Sequence, residues 1–177
     1  EKIIHSNFKD FISKYSIEVI PRSAAKVESF VEILPKYTRV YIAHIQNEDI
    51  SSMVATAKRI TDEGFTAMPH IPARIIKDKT MLNEWISMYQ NEAGVNEALL
   101  LAGGSTQPVG DYDSSIQLIE SGLFDKANFR RLHIAGHPEG NKDIDPDGGT
   151  AKVSEALSWK QEFSKRTDAS MAITTQF

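Results

Sequence analysis

The chain has 177 residues, of which 41% are hydrophobic and 25% charged, a balance typical of a globular protein rather than a disordered or fibrous one. It contains no cysteine, which excludes disulfides, thiolate metal sites and cysteine nucleophiles. The formal net charge of −4 gives no overall basic field for nucleic acid or anionic lipid. Since there is also no long apolar run and no leader pattern, we expect a cytoplasmic protein with no nucleic-acid or membrane partner.

Short apolar runs rich in β-formers alternate along the chain with stretches of helical spacing. The predicted strands cover residues 16–20, 38–45, 65–71, 97–102, 130–135 and 170–176. The predicted helices cover residues 49–63, 79–93, 113–121 and 149–165, and the first three are each followed by a glycine. Strands and helices that alternate at these distances predict right-handed βαβ crossovers and a parallel sheet.

The same pattern favours a barrel over a dinucleotide-binding sheet. No Gly-x-Gly-x-x-Gly follows the first strand, where the chain reads Pro21-Arg22-Ser23. Polar and small residues gather instead at the carboxyl ends of several strands, where a TIM barrel builds its active site. We therefore predict one α/β domain over residues 1–177, of the (β/α)₈ TIM-barrel type.

A complete barrel of this type has eight strands in about 250 residues. The sequence offers six candidate strands, so we expect a barrel truncated after about six βα units. Truncation would leave two strand edges unpaired, which is an aggregation hazard unless something covers them. A homo-oligomer or a further segment that completes the barrel is therefore expected.

Glu18 is the most informative polar residue of the sequence. It stands inside the apolar run 17–20, in a strand that we expect to be covered on both faces. A carboxylate there is either paired with a cation or kept protonated by burial, and the second state makes it a general acid near neutral pH. Arg22 or Arg74 could supply the cation, so a catalytic and a structural role both remain open.

Three histidines, His44, His70 and His137, end three different predicted strands. Together with Glu18 they could bind the metal of a barrel hydrolase or lyase, which uses imidazole and carboxylate ligands. Each could equally be a neutral hydrogen-bonding group or a ligand contact. Because no His-x-His pair follows the first strand and no Asp closes the last, we assign no metal ligands.

Gly103 and Gly104 follow the apolar run 98–102. Adjacent glycines let the backbone approach a ligand closely, although they also occur in flexible βα turns. The sequence leaves both interpretations open.

Five short segments resemble, in their order and near their spacing, the methylenetetrahydrofolate reductase family. They are Ser16–Arg22, Pro69–Ile71, Leu100–Gly104, Gly136–Gly140 and Thr175–Phe177. The resemblance extends over nearly the whole chain. It implies a (β/α)₈ barrel that reduces 5,10-methylenetetrahydrofolate to 5-methyltetrahydrofolate with NAD(P)H, usually through FAD.

The resemblance also implies roles for particular residues. Glu18 matches the acid that protonates the folate as its five-membered ring opens. Gln176 matches the glutamine that contacts the pterin, and Gly104 is a second implied substrate contact. The implied cofactor contacts are His70, which matches a histidine that lies against the flavin, and Ala102, Gly103, His137 and Glu139.

The chain departs from the family pattern mainly at positions that bind the flavin. The fourth strand of the family usually ends Leu-Arg-Gly-Asp, where this chain reads Leu101-Ala102-Gly103-Gly104, and Ala43 replaces a flavin-binding Thr. The positions of four further flavin-binding residues are taken by Glu155, Ser158, Gln161 and Glu162. Each lost charge-assisted phosphate contact should cost roughly 1.5–3 kcal/mol of FAD affinity.

We therefore expect a divergent branch in which hydride passes from NADH to the folate without bound flavin. Two alternatives remain open at this stage. One is a metal-dependent barrel hydrolase or lyase that uses Glu18 and the three histidines. The other is a non-catalytic relative that binds a folate and hands it to a partner.

Overall fold

The computed structural model describes residues 15–136 and 149–175. Within these ranges the chain forms six strands, β1 (Ser16–Val19), β2 (Arg39–Ile42), β3 (Thr66–Pro72), β4 (Glu97–Leu101), β5 (Arg131–Gly136) and β6 (Ser170–Thr175). It also forms six helices, α1 (Pro21–Ala24), α2 (Ile50–Asp62), α3 (Lys79–Ala93), α4 (Ser115–Glu120), α5 (Leu123–Lys126) and α6 (Ala151–Ser164). A 3₁₀ turn, Ala73–Ile75, follows β3.

The structure confirms all six predicted strands and the four predicted helices, which are α2, α3, α4 and α6. Local capping explains where the helices begin. Asp49 accepts a hydrogen bond from the backbone N–H of Ser51 at the start of α2. At the start of α4, Ser114 and Gln117 exchange the two hydrogen bonds of a capping box. The structure adds α1 and α5, two short helices that the periodicity does not predict.

Among the described residues, 15–70 and 87–95 form the first compact unit. Its strands are parallel and lie in chain order, β1-β2-β3. The register pairs Glu18 with Tyr41 and Tyr41 with Met68, so these three residues form one row across the sheet. Because side chains alternate along a strand, His70 lies on the same face as Met68, two residues nearer the carboxyl end.

The ion pair between Arg59 and Glu63 holds the segment that follows β1, through hydrogen bonds to its backbone. Arg59 of α2 pairs with Glu63 at 2.8 Å and donates to the carbonyl oxygen of Ala24, also at 2.8 Å. Its guanidinium lies 5.1 Å from the ring centroid of Phe30, whose backbone N–H donates to Glu63. Residues 24–30, which follow β1 and α1, are therefore held against α2.

The second compact unit comprises, of the described residues, 71–86, 96–136 and 149–175. Its strands are again parallel and in chain order, β4-β5-β6, with Leu99 opposite His133 and His133 opposite Ala172. At the start of β4, Glu97 is only 5% exposed and lies 3.1 Å from Nε of Arg130. This cation balances the buried carboxylate, which is therefore a structural group.

The mixed α/β class with parallel strands is confirmed. The TIM-barrel type, truncated after about six βα units, and the single domain over residues 1–177 stay predictions. None of the helices formed by residues 15–136 and 149–175 is both long enough and apolar enough to cross a bilayer.

Candidate functional site

Glu18 and His70 meet on one face of the first unit's sheet. Oε2 of Glu18 lies 3.2 Å from Nε2 of His70. The distance is that of a hydrogen bond, although the direction of approach does not satisfy one, and Nε2 has no hydrogen-bond partner within the described residues. A buried imidazole nitrogen and a carboxylate thus stand together near the carboxyl ends of two parallel strands.

His70 is neutral in this setting. Its side chain is 10% exposed, and burial lowers the pKa of the imidazole from 6.5 to about 4, with the nearby His44 as a second cause. The contact with Glu18 is therefore between a carboxyl group and a neutral ring. In its Nε2–H tautomer His70 can donate to an ionised Glu18, and in the other tautomer it can accept from a protonated one.

The expected burial of Glu18 is wrong within the described chain. Half of its side chain is exposed, and β1 alternates between exposed and half-buried residues. The prediction assumed cover on both faces of the sheet, whereas each residue of β1 is at least partly exposed and β1 is an edge strand among the described residues. The carboxylate is thus open to solvent on one side and lies against His70 on the other.

Two further residues surround the pair. The ring of Tyr41 lies edge-to-face with that of His70, with centroids 6.3 Å apart. Nε2 of His44 lies 3.1 Å from the carbonyl oxygen of Glu48, and burial lowers the pKa of His44 despite this hydrogen bond. Tyr41 is a site residue that the sequence reasoning missed, because its place opposite Glu18 follows from a strand register that the sequence does not specify.

In the second unit, Gly103 has a structural role. Its φ is +98°, which favours glycine, and an added Cβ would lie 2.9 Å from Cβ of Pro72. Gly104 has open space around it. Tight packing against Pro72 therefore explains the glycine at position 103. For Gly104 the structure gives no such reason, and its implied role as a substrate contact stays a prediction.

Arg74 fixes the loop that carries these glycines. Its Nε lies 2.8 Å from Oδ1 of Asp113, and its Nη1 donates to the carbonyl oxygen of Ser105 at 2.9 Å. The backbone of Arg74 adds hydrogen bonds with Ala102 and Val109. Arg74, one of the two cations considered as a structural partner for Glu18, thus pairs with Asp113 instead. Arg22, the other candidate, is exposed.

Replacing Arg74 with Met should loosen the loop over residues 102–113. The substitution keeps an unbranched stem and removes the charge-assisted bonds, so we expect the free energy of unfolding to fall by about 2 kcal/mol. Hydrogen exchange should accelerate at the amides of Val109 and Asp111, which donate to the carbonyls of Arg74 and Lys77. Arg22→Met, at an exposed arginine, is the control, and equal exchange in both variants would contradict the role of Arg74.

Three predicted site residues, His137, Glu139 and Gln176, lie outside the described residues. The metal alternative needs His137 beside Glu18, His44 and His70. Within residues 15–136 and 149–175 no group of three or more ionisable ligands is arranged to bind a metal ion.

The described positions at which the resemblance implies flavin contacts include no lysine or arginine that would face the phosphates of FAD. Arg74, the cation beside Ala102 and Gly103, is engaged by Asp113 and Ser105. On α6, Glu162 accepts a hydrogen bond from Lys165 and would repel a pyrophosphate. With His70 neutral, no described residue among these positions offers a cation to the phosphates.

No protein-family model matches the chain. The resemblance to methylenetetrahydrofolate reductases therefore rests on the ordered motifs alone, and membership of that family stays a prediction.

Proposed function

We propose that this protein is a folate-linked oxidoreductase that reduces 5,10-methylenetetrahydrofolate to 5-methyltetrahydrofolate with NAD(P)H. The proposal depends mainly on the contact between Glu18 and His70. These residues come from separate βα units and match the acid and the cofactor-contacting histidine that the resemblance implies. Their side chains approach within 3.2 Å.

The exposed half of Glu18 gives the substrate a place to bind. A pterin ring lying over the carboxyl group would exclude water from it and disfavour its charged form. The protonated carboxyl group would then donate its proton to the folate nitrogen as the five-membered ring opens. The resulting iminium carbon accepts hydride from the nicotinamide, and Glu18 is left ionised.

His70 would act as a positioning residue in this scheme. Because the imidazole is neutral, it does not hold Glu18 in the charged state as a cationic partner would. Its Nε2–H can donate to the ionised carboxylate that remains after proton transfer. The edge-to-face contact with Tyr41 restrains the ring beside the carboxyl group.

We further propose that no flavin takes part. The purified protein should lack a flavin absorption band after dialysis, and added FAD should leave the rate of NADH oxidation unchanged. The physical reason is the lack of cations at the described flavin positions. A flavin band that survives dialysis would contradict this prediction.

One titration separates the proposal from its two alternatives. The protein is mixed with NADH and increasing methylenetetrahydrofolate while the absorption of NADH is recorded, and folate binding and bound metal are measured on the same samples by equilibrium dialysis and elemental analysis. Folate-dependent NADH oxidation supports the proposal. Folate binding without oxidation indicates the non-catalytic relative, and bound zinc or manganese with neither effect indicates the hydrolase or lyase.

A further inference from the structure

The second unit contains a buried lysine that the proposed reaction does not use. Lys160 of α6 is 8% exposed, and its Nζ donates one hydrogen bond, to the carbonyl oxygen of Ala135 at 2.9 Å. Burial lowers its pKa, and no carboxylate of the described residues offsets this effect. Lysines are almost never buried without a partner, because desolvating an unpaired ammonium is costly.

Lys160 borders a groove between α6 and the strands β5 and β6. The groove has a volume of about 420 Å³ and is lined mostly by apolar side chains, among them Ile134, Leu157, Met171 and Ile173. Small-molecule sites commonly measure about 300–1,000 Å³ and combine apolar walls with a few polar groups. Ile173 is 52% exposed, so one wall of the groove is apolar surface that faces solvent.

We propose that this groove binds a small carboxylate with an apolar chain. The carboxylate would pair with the ammonium of Lys160, which has two N–H donors beyond the one used by Ala135. The apolar chain would cover Ile173 and Met171. One ligand would thus supply a counterion for Lys160 and cover the apolar surface of the groove. A neutral hydrocarbon would leave the buried charge without a counterion.

Octanoate is the probe, and calorimetric titration of the full chain is the measurement. We expect saturable binding that Lys160→Met weakens at least tenfold, since Met keeps the stem and removes the charge. Lys165→Met should bind octanoate as the unsubstituted protein does, because Lys165 is an exposed lysine just after α6 that pairs with Glu162. Octanamide, which has the same chain without the charge, should bind at least tenfold more weakly than octanoate.

No saturable binding of octanoate, or equal affinity in Lys160→Met and the unsubstituted protein, would overturn the proposal. Should Lys160→Met fail to fold, Ile173→Glu provides the test at a half-exposed position. A second carboxylate in the groove should weaken octanoate binding at least tenfold, and unchanged affinity in that variant would likewise overturn the proposal.

Discussion

Replacing Glu18 with Gln should reduce folate-dependent NADH oxidation at least about 100-fold. A positioned general acid typically contributes about 10²–10⁴ in rate, and the amide keeps the shape of the carboxyl group without its transferable proton. Folate binding should persist, because the loss concerns the proton rather than the contact surface. The rate is measured as NADH absorbance, and binding is measured separately by equilibrium dialysis of the folate.

Glu32→Gln is the matched control, since Glu32 is an exposed carboxylate in the same unit. It should oxidise NADH at the rate of the unsubstituted protein. If Glu18→Gln retained that rate as well, Glu18 would have no part in the reaction.

Stability should decline as the pH falls from about 6.5 to about 4, with His70 as a main cause. The pKa of His70 is about 4 in the folded protein and 6.5 in the unfolded chain. Between these values the unfolded chain binds a proton that the folded protein excludes, so protonation favours unfolding. One pKa unit corresponds to about 1.4 kcal/mol, and the whole loss over 2.5 units is therefore about 3.5 kcal/mol.

Above pH 6.5 the contribution of the neutral His70 to stability is fully present. His70→Gln removes the titrating group, so its free energy of unfolding should fall less between pH 7.5 and pH 4.5 than that of the unsubstituted protein. Urea unfolding at the two pH values measures both differences. An identical pH dependence in the two proteins would show that His70 takes up its proton as readily in the folded state as in the unfolded one.

The strands and helices could be predicted because their causes are local. Asp49 and Ser114 cap helices at or next to their predicted starts, and glycines 64, 94 and 122 have positive φ just after predicted helices. The short helix α1 was missed because a single turn has no periodicity to detect. It forms where Pro21 occupies the first helical turn and Ser23 exchanges hydrogen bonds with the backbone of Ile20.

The site could be predicted only in part, because the environments of its side chains depend on distant segments. Strand position alone brings Glu18 and His70 to one face of a parallel sheet. The exposure of Glu18 depends on what covers β1, which the apolar run 17–20 does not specify. Arg74 finds Asp113, 39 residues away, and no local pattern indicates that pairing.

The most direct test follows one atom from the nicotinamide to the folate. The protein is incubated with methylenetetrahydrofolate and with NADH or NADPH that carries deuterium as the transferred hydride, and the folate product is analysed by mass spectrometry. The account predicts 5-methyltetrahydrofolate with one deuterium in each methyl group. Absence of that product with both nucleotides would contradict folate reduction by this chain, and unlabelled product would contradict direct transfer.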